Sequence, residues 1–109
     1  MLDQLHAATF SAHLHTLFKI LLSAMPLVEV ELIEVAERGS AGATPPWAAR
    51  QERFSIVFRG PHGRLLQQGI YQLQHDRLGA FELFLVPVGQ DQHGIYYEAV
   101  FNRIRQHDG

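Results

Sequence analysis

Residues 78–103, LGAFELFLVPVGQDQHGIYYEAVFNR, leave this chain few folds to choose from. Phe81, Leu83 and Leu85 alternate with Glu82, Phe84 and Val86, so one face is wholly apolar and the other carries a single Glu. A strand apolar on both faces is normally covered on both sides. Ile95, Tyr97, Ala99 and Phe101 then alternate with Tyr96, Glu98, Val100 and Asn102. That is a half-buried strand rich in aromatic and β-branched residues. The six residues Gly89–Gly94 hold two glycines and Asp91, which is turn chemistry. The stretch therefore predicts a hairpin of strands 81–88 and 95–102 around a polar loop. Pro87 cannot donate to a ladder, so it belongs at an edge, a bulge or a strand end.

The same period of two recurs upstream. Phe18, Ile20 and Leu22 oppose Leu17, Lys19 and Leu21, which predicts a strand over 16–22. Over 27–35, Val28, Val30 and Leu32 face one way and Glu29 and Glu31 the other, until the phase slips at Leu32–Ile33. A β-bulge accounts for such a slip. Phe54, Ile56 and Phe58 alternate with Ser55, Val57 and Arg59 in a strand over 53–59, and Tyr71 and Leu73 share a face of a strand over 69–75.

Ahead of these strands, Leu2, Leu5, Phe10 and Leu14 are spaced for short helical turns with one apolar side, with Asp3 and Thr9 as N-cap candidates. Residues 36–52 hold Gly39, Gly42, Pro45, Pro46 and the only Trp, Trp47, and read as one irregular loop. The expected layout is a single domain over 1–109: a helical cap at 1–15, a first hairpin at 16–35, the loop at 36–52, four strands within 53–103 and a fraying tail at 104–109. Six short strands with mostly short links favour antiparallel neighbours. The expected fold is mainly β, a six-stranded antiparallel small barrel or rolled sandwich with the N-terminal turns plugging one end.

Composition removes several chemistries. There is no Cys, which excludes disulfides, thiolate metal sites and thiol catalysis. With 47% apolar and 18% charged residues the chain has the make-up of a globular domain. No apolar run approaches the roughly 18–20 residues of a membrane span, and the opening MLDQLHAATF lacks a basic n-region, so a cytoplasmic protein is expected. At a net charge of −2 with scattered basic residues, no nucleic-acid footprint is expected.

The runs LFLVPVG, YYEAVFN, FSIVFRGP and QGIYQLQH, with the opening MLDQLHAATFSAHL, resemble a family of small bacterial proteins of unknown function over nearly the whole chain. Some relatives are similar to phage-tail-like or tail-collar proteins, and the resemblance implies a role in assembly. It transfers no functional residue.

The residues that could carry chemistry each have an ordinary reading. His13-Leu14-His15 on a strand would set two imidazoles on one face, a zinc or copper pair, with His6, His62, His75 and His93 as scattered third ligands. A specific site needs three or four convergent donors, so the ordinary reading is solvent-facing turn and cap histidines, with no metal and no cofactor. Glu29, Glu31, Glu34 and Glu37 would serve acid–base chemistry only across a cleft, and on one strand they read as a solvated face. No GxSxG elbow is present, and Gly60-Pro61-His62-Gly63 lacks the Lys and Ser/Thr of a phosphate loop. Trp47 and Arg50 are the residue types that dominate interface hot spots, and the ordinary reading of the single Trp is a lid folded onto the core.

Phe84 and Val86 lie opposite the Phe81–Leu83–Leu85 face and need cover, from the N-terminal turns or from a second copy. The leading expectation is therefore a non-enzymatic structural or protein-interaction module. It would associate with itself, most simply as a two-fold dimer, or with another protein. A small-molecule-binding barrel with Tyr71, Tyr97 and Phe58 around its mouth is the alternative, and an enzyme the third reading.

Overall fold

The computed structural model describes residues 5–22, 25–37 and 51–104, with the side chains of 25, 26, 51, 52 and 102–104 left aside. The chain runs α1 (Ala7–Ser11), β1 (Leu17–Leu22), β2 (Met25–Glu37), β3 (Gln51–Gly60), β4 (Gly69–His75), β5 (Gly79–Asp91) and β6 (Gly94–Ile104). The strands close into an antiparallel barrel in the order β1-β2-β3-β6-β5-β4.

The barrel is two three-stranded meanders, β1–β3 and β4–β6, of equivalent layout. Each has a 13-residue middle strand that changes partner halfway. β2 pairs with β1 up to Glu31 and with β3 from Glu31 onward. β5 pairs with β4 up to Leu85 and with β6 from Val86 onward. Just past each switch the register slips, between Leu32 and Glu34 in β2 and between Pro87 and Gly89 in β5. A bulge bends and over-twists a strand, which lets one strand serve two partners around a tight barrel. The first slip falls at the phase change in the sequence, and the second places Pro87 beside a bulge. The meanders join along ten β3–β6 pairs, Gln51↔Ile104 to Gly60↔Ile95, and close through three β1–β4 pairs around Ile20↔Leu73.

Alternation sorts the side chains as the period of two requires. Phe18, Ile20, Val28, Val30, Leu32, Phe54, Ile56, Phe58, Leu73, Phe81, Leu83, Leu85, Ile95, Tyr97, Ala99 and Phe101 fill the interior. α1 stoppers one end. Its Phe10 is fully buried, with ring centroids 5.6–6.5 Å from those of Phe18, Phe54, Phe81 and Phe101. At the other end of β6, the Tyr97 hydroxyl accepts from the Leu66 amide at 3.0 Å and donates to the Arg64 carbonyl at 3.2 Å. That pair of bonds fixes the 61–68 connection and seats Leu66 in the core.

Several expectations need correction. The hairpin loop is not 89–94: the ladder continues through Gly89↔Tyr96, Gln90↔Ile95 and Asp91↔Gly94, leaving only Gln92–His93 as the turn. The irregular segment is shorter than 36–52, because 36–37 and 51–52 pair as strand, and the expected tail begins with a strand residue, Ile104. The helix is capped by His6 rather than Thr9. Thr9 occupies the third helical position, where its Oγ1 accepts from the His6 amide at 3.2 Å. Asp3, Trp47 and Arg50 lie outside the described residues.

Candidate functional site

Register builds one row across the outside of the barrel, polar beyond Leu17. Leu17 stands opposite Glu31, Glu31 opposite Arg59, and Arg59 opposite Tyr96. Such cross-strand neighbours are within side-chain reach. Arg59 donates from Nη2 to Glu31 Oε1 at 2.7 Å, and His15 Nδ1 lies 3.2 Å from Oε2 of the same carboxylate. Further along, the Tyr96 hydroxyl donates to Asp91 Oδ2 at 2.8 Å, and the His93 amide donates to Asp91 Oδ1 at 2.8 Å. The amide bond from His93, then the Tyr96 hydroxyl, hold the Asp91 carboxyl below its ordinary range. The same contact with Asp91 pushes the Tyr96 phenol up.

This row borders a cleft of about 550 Å³ lined by Leu17, Leu27, Val28, Glu29, Glu31, Arg59, Gly60, Pro61, Arg64 and His93. Its lining mixes apolar side chains with cations and acids. Two smaller clefts, of about 370 and 520 Å³, also open beside Leu17, one bordered by Lys19, Glu29 and Gln74 and the other by His13 and Arg77, with His75 and Asp76 lining both.

His75 is the one buried side chain among the described His, Asp, Glu, Lys and Arg residues. Its Nδ1 accepts from the amides of Arg77 at 3.0 Å and Leu78 at 3.3 Å, which fixes the proton of the neutral ring on Nε2. Nε2 lies 2.9 Å from Thr16 Oγ1, and Thr16 Oγ1 donates to the His13 carbonyl at 2.6 Å. The ring packs 4.4 Å from Phe18 and 4.7 Å from His13. Burial, then the neighbouring His13, hold its pKa below the ordinary imidazole value of 6.5.

The outward face of β4, β5 and β6 is different in kind. Ile70 stands opposite Phe84, and they are 70% and 52% exposed. Val88 and Val100 are also exposed and Val86 is half-buried. α1 turns its large ring into the barrel end, so the described N-terminal residues leave Phe84 exposed.

The structure separates most of the candidates named from sequence. His13 and His15 sit in the turn after α1, not on a strand, and His15 has a φ of 69°. Their rings diverge, His13 toward His75 and His15 toward Glu31. His6 caps α1, His62 lies in an exposed turn, and His93 closes the last hairpin. Among the described residues no three His, Asp or Glu side chains are grouped to hold a metal ion. Of the alternative barrel-mouth lining, Phe58 and Tyr97 are buried in the core and Tyr71 packs at its edge. Glu31 is not simply solvated, since it bridges Arg59 and His15. The Glu31–Arg59 and His75–Thr16 contacts were beyond sequence reasoning because they depend on strand partners. The Asp91–His93 bond had a local signal, an Asp two residues before the turn amide it accepts from.

Among the described residues no helix is long and apolar enough to cross a membrane. A family model described as Domain of unknown function (DUF6916) matches residues 5–101, and the chain belongs to that family. No curated protein and no solved structure matches it.

Proposed function

We propose that this DUF6916 chain is a non-enzymatic protein-interaction module of the bacterial cytoplasm that docks onto a second copy of itself through the outer face of β4, β5 and β6. The observation that carries the reading is the exposed pair Ile70–Phe84, continued by Val86 and Val88 along β5. Large apolar side chains grouped on a sheet face mark an interaction surface more often than scattered single ones do. The placement of Phe58 and Tyr97 in the packed interior supports this reading over a ligand-holding barrel. A phage-tail-like particle, the setting implied by the resemblance, is the kind of assembly that repeated self-contacts build. Light scattering at high micromolar concentration tests the proposal: the wild type exceeds the monomer mass, and Phe84→Glu returns it to a folded monomer because a carboxylate at an apolar interface lacks a partner. A monomeric wild type would sink it.

A further inference from the structure

We infer that the β1–β4 seam is a pH-operated opening in the barrel wall, latched by His75: a second proton on the ring parts β1 from β4. The inference goes beyond self-docking and does not depend on it.

This seam is the shortest join in the ring. Among the described residues β1 and β4 share three ladder pairs, Lys19↔Gln74, Ile20↔Leu73 and Leu21↔Gln72, and every other ladder has at least five. One register step further, Phe18 comes opposite His75, and side chains take over from the backbone. The two rings pack with centroids 4.4 Å apart. His75 Nε2 lies 2.9 Å from Thr16 Oγ1, which donates to the His13 carbonyl at 2.6 Å. These contacts tie the end of β4 to the turn that carries α1.

The latch fits only the neutral ring. Its Nδ1 accepts from the amides of Arg77 and Leu78. A protonated imidazole carries an N–H on both nitrogens, so Nδ1 would face two donors with a third. Unmatched donors away from water are costly. The charged groups around the ring come from four elements. His13 faces it from the turn after α1, with ring centroids 4.7 Å apart. Asp76 and Arg77 stand beside it in the β4–β5 turn, and Lys19 of β1 and Glu29 of β2 line the adjoining cleft. Burial and then His13 oppose the second proton, Asp76 favours it, and Arg77 opposes it. Glu29 stands opposite Lys19 in the β1–β2 ladder. A charged ring is relieved by swinging off Phe18 into the clefts that His75 already borders. That withdraws the Thr16 bond and the Phe18 contact and leaves three backbone pairs to hold the wall. The parted edges of β1 and β4 would carry unpaired backbone groups, which template pairing with another strand.

Amide hydrogen exchange reads such a local opening strand by strand. An NMR titration of the ring first locates the pH at which His75 takes its proton. Exchange is then followed above and below that pH and corrected for the intrinsic rate. The β1 and β4 amides of the wild type are expected to exchange at least tenfold faster on the acid side, while those of the β3–β6 ladder keep their protection. His75→Asn, whose side-chain oxygen can accept the turn amides, is expected to show no such step. Thr16→Val, which removes the hydroxyl, is expected to expose the seam already at pH 7.5 and guards against a His75→Asn variant that fails to fold. A ring that titrates while β1 and β4 stay protected overturns the inference. So does a ring that takes its proton only as β3–β6 loses protection too, since that is global unfolding. A step that persists in His75→Asn, or a Thr16→Val seam as protected as the wild type, overturns the assignment of His75 as the latch.

Discussion

His75 Nε2 lies 2.9 Å from Thr16 Oγ1 across 59 residues of sequence, joining the turn after α1 to the β4–β5 turn. The opposite ring nitrogen accepts two backbone amides, so the neutral ring is the one the fold uses. Protonation would replace an acceptor by a donor facing two donors.

The pH dependence follows from that geometry. The folded pKa of His75 lies below 6.5, so the unfolded chain binds the proton more readily. Its contribution to stability is complete above pH 6.5 and is lost as pH falls below that value and through the folded pKa. Thermal melts of the wild type between pH 7.5 and 5 should show a fall that is shallower in His75→Asn, whose side-chain oxygen can keep accepting the turn amides. Identical slopes would show that His75 is not the titrating group.

Phe10 should matter far more than its place outside the sheet suggests. It is fully buried against four aromatic rings, and Phe10→Ala should cost about 3–5 kcal/mol in denaturant unfolding. Total stabilities of small domains are about 5–15 kcal/mol, so this variant would be close to unfolding. The same change at exposed Ile70 should alter unfolding by less than about 0.5 kcal/mol. Equal costs would mean that α1 does not stopper the barrel.

Gly94 and Gly89 flank the same turn and should respond oppositely to Ala. Gly94 has a φ of 152°, and a Cβ there would collide with the Gly60 carbonyl oxygen and reach 2.9 Å from Arg59 Cγ. Gly94→Ala should destabilise by about 2 kcal/mol or more, given a strained backbone and a clash. A Cβ on Gly89 meets nothing within 4 Å, and Gly89→Ala should be neutral to about 0.5 kcal/mol. Paired unfolding curves decide it; a neutral Gly94→Ala would contradict the tight turn.

Stoichiometric zinc should leave the melting temperature unchanged to a few tenths of a degree. A ligand that binds only the folded state raises stability by mass action, and the diverging His13 and His15 rings give zinc no converging donors. A saturable rise abolished by His13→Ala would show that the two imidazoles do converge on a metal.

Much of the barrel was legible because alternation is a local property. A pleated strand sends neighbours to opposite faces whatever it pairs with, so the inward sets Phe54–Ile56–Phe58 and Phe81–Leu83–Leu85, the split between Tyr96 and Tyr97, and the phase slip at Leu32–Ile33 could be read from the chain alone. The same rule set Phe84 on the opposite face, where cover was expected; its exposure was decided by the tertiary structure. Tertiary structure decided what depends on partners distant in sequence. The turn-prone residues Gly89–Asp91 became strand because β6 supplied a ladder for them, and the His13–Leu14–His15 run became a turn because the helix, not a strand, precedes β1. Closure through Ile20↔Leu73, the joining of Glu31 to Arg59, and the burial of His75 against Phe18 all depend on which strands become neighbours. That choice is made by the packing of the whole core and the closing of the ring, and no single stretch of sequence encodes it.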